Sequence, residues 1–135
     1  MELPIELKAV EGAEKLYAWF GYWPTFHDAE VVEMHLSRSS SSSIVIHTWE
    51  MTSEVDERGH YVLAKHVVVE FLLNGISELS LSGFNHQNVL SELAVEKIAS
   101  GFRLTLGACY GIAGAIEANA ISIRLVSGKP QDARP

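Results

Sequence analysis

The sequence predicts an α+β domain in which an N-terminal helix precedes a predominantly antiparallel β-sheet of about six or seven strands. Three observations lead there. Helical spacing of apolar residues is confined to the stretch before Gly21. From Ala29 onward, apolar and polar residues alternate with a period of two, the mark of half-buried strands. The polar interruptions beyond that point, including the serines at 39–43 and the pair Asn74-Gly75, have the composition of strand connections.

Residues 11–20, E-G-A-E-K-L-Y-A-W-F, place Ala13, Leu16, Tyr17 and Phe20 on one helical face, with acids at the start and Gly21 as terminator. Pro24 forbids continuation, so 21–28 is an aromatic-rich turn. The first strand carries Val32, Met34 and Leu36 against Glu33, His35 and Ser37. A second is expected at 44–52. A third, at 63–73, contains the nearly continuous apolar run V-V-V-E-F-L-L, which reads as a central strand covered on both faces. Asn74-Gly75 is the strongest two-residue hairpin signal in the chain, because both residues tolerate positive φ. It leads to a strand at 76–82. Residues 83–90, G-F-N-H-Q-N-V-L, break the alternation as a polar turn. Strands at 91–99, 102–108 and 116–126 complete the sheet, the first two joined through Ser100-Gly101. One domain over 1–127 is expected, with 128–135 a flexible C-terminal tail that has no apolar anchor.

The totals agree with a self-sufficient domain. A chain of 135 residues, 47% hydrophobic, can bury roughly two-thirds of its unfolded surface. No run of about 18 apolar residues is present to cross a membrane. The N-terminal residues M-E-L-P-I-E-L-K carry acids where a signal peptide needs bases, so a cytoplasmic location is expected. The single cysteine, Cys109, allows no internal disulfide and suits a reducing compartment. The net charge of −7 disfavours nucleic acid and anionic membrane as partners and suits a basic partner; it also serves plain solubility.

Four groups of residues are candidates for chemistry. In Trp23-Pro24-Thr25-Phe26-His27-Asp28, His27 and Asp28 are an acid/base or metal pair on the functional reading. Neighbours on an extended chain point to opposite faces, however, which makes a direct relay between them awkward. On the structural reading, Trp23 and Phe26 pin the turn to the core while Asp28 and Thr25 bond local amides. Among the six histidines none has helical metal-ligand spacing, though His35 and His47 are positioned to face each other across a hairpin; no native metal or cofactor is expected. Cys109, in an apolar strand, reads as a small core residue and not as a nucleophile. Finally, Asn85, His86, Gln87 and Asn88 offer many donors and acceptors, for a ligand or for the backbone of their own turn.

Two of these segments carry a family resemblance. The run Y-W-P-T-F-H-D-A-E-V at 22–31, with L-S-L-S-G-F-N-H-Q-N-V-L at 79–90, resembles the immunity protein 50 family, bacterial proteins of polymorphic toxin systems. The resemblance spans about residues 10–126, and Thr25 stands where serine is expected. It implies a non-enzymatic protein that neutralises a cognate toxin by binding it in the producing cell's cytoplasm. Many such toxins are basic nucleases, to which an acidic inhibitor is electrostatically suited. The candidate binding residues are Trp23, Phe26, His27, Asp28, Asn85, His86, Gln87 and Asn88. The alternative is a small-molecule- or metal-binding, enzyme-like domain, which requires His27 and Asp28 to converge with the Asn85 turn at one pocket. A third reading is a homodimer formed through an open sheet edge.

Overall fold

The structure, a computed structural model, describes residues 3–130. A short 3-10 turn, Ile5–Leu7, precedes helix α1, Ala13–Phe20. Six strands follow: β1 Glu30–His35, β2 Ser42–Val55, β3 Tyr61–Ser82, β4 Val89–Ile98, β5 Gly101–Tyr110 and β6 Ala113–Ser127. The α+β class and the antiparallel sheet are as the sequence predicts. Among the described residues no helix is long and apolar enough to cross a membrane. Residues 131–135 of the expected tail lie outside the described residues, and the amide of Gly128 bonds the carbonyl of His66.

The sheet closes on itself as a barrel in the order β1-β2-β3-β6-β5-β4, every strand pair antiparallel. Alternation makes this possible, since every second residue turns inward. Ile44 and Ile46 of β2, Val67, Val69, Phe71 and Leu73 of β3, Leu104 and Leu106 of β5, and Ile116 and Ala118 of β6 fill the interior. Helix α1 adds Ala13, Leu16 and Phe20 to the same core. It begins where Gly12, at φ +90°, lies so close to β6 that a Cβ would strike the carbonyl of Ile123. It ends at Gly21, which is left-handed and donates its N–H to the carbonyl of Tyr17.

Two expectations are corrected by this topology. Asn74-Gly75 makes no hairpin. β3 runs through it for 22 residues, paired with β6 on both sides of the dipeptide, and Gly75 uses its positive φ of 67° as a bend inside the strand. The long uninterrupted ladder with β6 outweighs the local turn preference. The run at 67–73 is likewise not covered on both faces: Val67, Val69 and Phe71 are buried inside the barrel, while Val68, Glu70 and Leu72 lie half-exposed on its outer wall. The apolar outer residues reflect β-propensity rather than a second packed layer.

Below the barrel, β2 and β3 continue as a two-stranded arm that ends at Val55 and Tyr61. The arm leaves at a bulge where the register shifts between Thr48 and Glu50 and Lys65 takes a φ of 54°. The indole N–H of Trp19, from α1, donates to the carbonyl of Lys65 at 3.0 Å and ties the helix to that bulge.

Candidate functional site

The two distinctive sequence segments meet, and they meet as backbone. Val31 N–H donates to the Asn88 carbonyl, Leu90 N–H to Ala29, Asp28 N–H to Leu90, each at 2.8 Å, and Leu93 N–H to Thr25 at 3.0 Å. Residues 25–31 thus zip against 88–93 and form the seam that closes the barrel between β1 and β4, where the ladder itself contributes the single pair Glu30↔Val89. Pro24 stops α1 from continuing, and Phe26 and Asp28, with φ of 65° and 67°, turn the chain into the seam. The strained turn is held by Phe26, which is 2% exposed and packs edge-on against Phe71 at 5.7 Å. Full burial of such a ring stabilises by about 1.5–3 kcal/mol, comparable to the cost of one positive-φ residue at about 1–3 kcal/mol.

The same turn overturns the expectation that His27 and Asp28 point apart. Their chain is not extended, and His27 Nδ1 lies 3.3 Å from Asp28 Oδ2, both side chains well exposed. The His27 side chain borders a cleft of about 90 Å³ with Tyr22, Thr48 and Trp49. Beside it, Tyr22 Oη donates to Glu50 at 3.2 Å, and its phenol is held above its ordinary pKa by burial first and by the Glu50 charge second.

Across the seam, Asn88 is 3% exposed and its carboxamide is fully used. Oδ1 accepts from the amides of Asn85 at 3.0 Å and Ile112 at 3.1 Å, and Nδ2 donates to the Asn85 carbonyl at 2.6 Å. Asn85 Oδ1 in turn accepts from Gln87 N–H, and Asn85 Nδ2 donates to the Gly83 carbonyl. These amides build their own loop and lock it to the β5–β6 turn. Of the eight candidate binding residues, Phe26 and Asn88 are buried in the wall of the barrel. Trp23 is half-buried beside Leu7 and Leu93; His27, Asp28, Asn85, His86 and Gln87 reach the surface. The cleft beside His27 is lined by none of the residues 85–88.

Two further readings change. His35 pairs with Ser43, not with His47, because the β1–β2 register sets Glu30 opposite His47. His47 instead meets His66 of β3 on the outer wall, Nε2 to Nδ1 at 3.0 Å, with the rings stacked at 18° and Trp49 against them. Among the described residues no group of three His, Cys, Asp or Glu side chains is disposed to hold a metal. Cys109 is exposed instead of buried, since it lies past Leu106, the last buried residue of β5.

The largest concavities lie at the mouth of the barrel. Met34, Leu36, Leu79, Leu81, Phe84 and Ile112 line a space of about 570 Å³. It adjoins one of about 390 Å³ that shares Leu36 and Leu79 and runs along Gly75 and Ile76. Leu36, Leu79 and Phe84 are 52, 42 and 53% exposed, so apolar surface faces water here. Alternation in the sequence marks Met34, Leu36, Leu79 and Leu81 as inward-facing; that the barrel leaves them uncovered depends on strand lengths, which alternation does not report.

These features define the class: a small closed antiparallel barrel, capped by one helix, with Phe26 and Asn88 built into its wall and an apolar mouth left open. The family model for Immunity protein 50 matches residues 12–128, and the chain belongs to that family. No curated protein and no solved structure matches it.

Proposed function

We propose that the protein neutralises a cognate toxin by direct binding in the cytoplasm of the cell that makes the toxin. The observation that carries this reading is membership of the immunity protein family across nearly the whole barrel. The net charge of −7 supports a basic partner, a nuclease among the natural choices, because opposite net charge accelerates encounter and aligns the approach. The carboxamides of Asn85 and Asn88 support a binder over an enzyme, since they are engaged in building their own loop and, through Asn88, in locking it to Ile112.

The test is co-expression with the toxin encoded beside the gene, paired with calorimetry of the two purified proteins. Restored growth and a stoichiometric complex are expected, with an association rate that falls as salt rises. Absence of both rescue and binding overturns the reading.

A further inference from the structure

β3 outruns its neighbour. β2 begins at Ser42, opposite Leu73, so residues 75–82 of β3 pair with β6 along one edge and, among the described residues, with no strand along the other. Ser41 Oγ bonds the Asn74 side chain and marks where cover ends. This unpaired edge borders the barrel mouth, and Ile76, Leu79 and Leu81 project from it into the two adjoining cavities. An open edge beside an apolar trough is the geometry that accepts an added strand: its backbone groups give register and affinity, and alternate side chains of the guest enter the trough.

Charge selects the guest. Glu78 lies exposed on the open edge itself, Arg38 lines the trough, and the chain as a whole carries a net charge of −7, which favours a basic guest. Glu78 sits opposite Glu117, which is itself held by Arg103, and no salt bridge within the described residues takes Glu78. A second copy of this chain is a poor guest, because each copy carries the same net charge of −7.

We propose that an extended, basic segment of the toxin adds as an extra strand along 75–82 of β3, with apolar side chains seated in the mouth formed by Leu36, Leu79, Leu81 and Phe84. This rests on the reading that the partner is a toxin protein. The exposed side chains of Asn85, His86 and Gln87, on the loop that carries Phe84, then flank the guest strand.

The experiment compares binding of the purified cognate toxin to the wild-type chain and to Leu79→Glu, Phe84→Ala and Glu78→Lys, with amide hydrogen exchange read on and off the complex. A loss of at least about 30-fold is expected for Leu79→Glu, as for a central interface residue. Glu78 is exposed, so Glu78→Lys is compatible with folding; it is expected to slow association several-fold at low salt, with the difference vanishing at high salt. Amides in 75–82 gain protection in the complex. As a control, Tyr61→Ser at the far arm leaves affinity unchanged. If the toxin binds the wild-type chain but Glu78→Lys has no effect and 75–82 stays unprotected, the mouth is not the interface, while the proposed function stands. A dimer of the chain alone that Leu79→Glu dissolves also overturns the proposal, assigning the edge to a second copy. Failure of the toxin to bind the wild-type chain at all overturns the functional reading instead.

Discussion

Asn88 Oδ1 accepts a hydrogen bond from the backbone amide of Ile112 at 3.1 Å, joining the loop before β4 to the turn between β5 and β6 at a fully buried point. Through this contact the seam, the loop and the mouth are one structural unit. Asn88→Ala leaves two amides, of Asn85 and Ile112, without their acceptor, and a buried amide so orphaned costs about 1–3 kcal/mol. A loss of about 2–4 kcal/mol in urea unfolding is expected, and an unchanged midpoint would refute the role given to Asn88.

Gly111 supports the same point from the other side. It has a φ of +80°, and an added Cβ would lie 2.5 Å from both Asn88 Oδ1 and the Gln87 carbonyl. Gly111→Ala is expected to destabilise by more than about 1 kcal/mol, the cost of the left-handed backbone alone. Because the clash involves Asn88, its effect shrinks in an Asn88→Ala background; strict additivity in the double-mutant cycle contradicts the model of a single locked unit.

Adjacent residues of the seam separate cleanly. Phe26→Ala removes a ring buried against Phe71 and is expected to cost about 3–5 kcal/mol. His27→Ala removes an exposed side chain and is expected to stay within about 0.5 kcal/mol. Thermal unfolding of the two variants measures both, and equal losses would mean that the His27–Asp28 pair is structural.

His66 gives the stability a pH dependence. Burial, then the nearby Lys129, holds its pKa below the ordinary 6.5. The unfolded chain therefore binds more protons than the folded one between the depressed value and 6.5, so stability rises with pH across that window. The stabilisation is complete above about pH 6.5 and is lost as pH falls from there towards the depressed value. His47, Trp49 and Lys129 are the groups that face the ring, and a second proton on the His47–His66 pair removes the bond between them. Denaturant midpoints from pH 5 to 8 are expected to show this slope in the wild type and a flatter one in His66→Gln.

Local rules were legible in the sequence. Helical spacing from Ala13 to Phe20, Gly21 as its stop and Pro24 as the break follow from contacts a few residues apart and reappear in the structure. In β1, by contrast, a bulge between Val31 and Glu33 breaks the expected alternation, burying Val31 and exposing Val32. The same rules misjudged Asn74-Gly75, because a dipeptide that permits a turn does not require one when a long partner strand lies alongside. They also placed Cys109 in the core, because the local pattern of β5 does not show where the interior ends.

What the sequence determined by itself was the fold class, the period-two pattern of the strands and two unusual segments, all properties of short windows of chain. What only the tertiary structure decided was closure. Pairing 25–31 with 88–93 joins segments far apart in sequence, and that pairing consumes Phe26 and Asn88 in the wall of the barrel. It also leaves β3 longer than its neighbour, so that Leu79 and Phe84, ordinary core-type residues by pattern, face water at the mouth. Exposure depends on which strands end where, and no local periodicity carries that information.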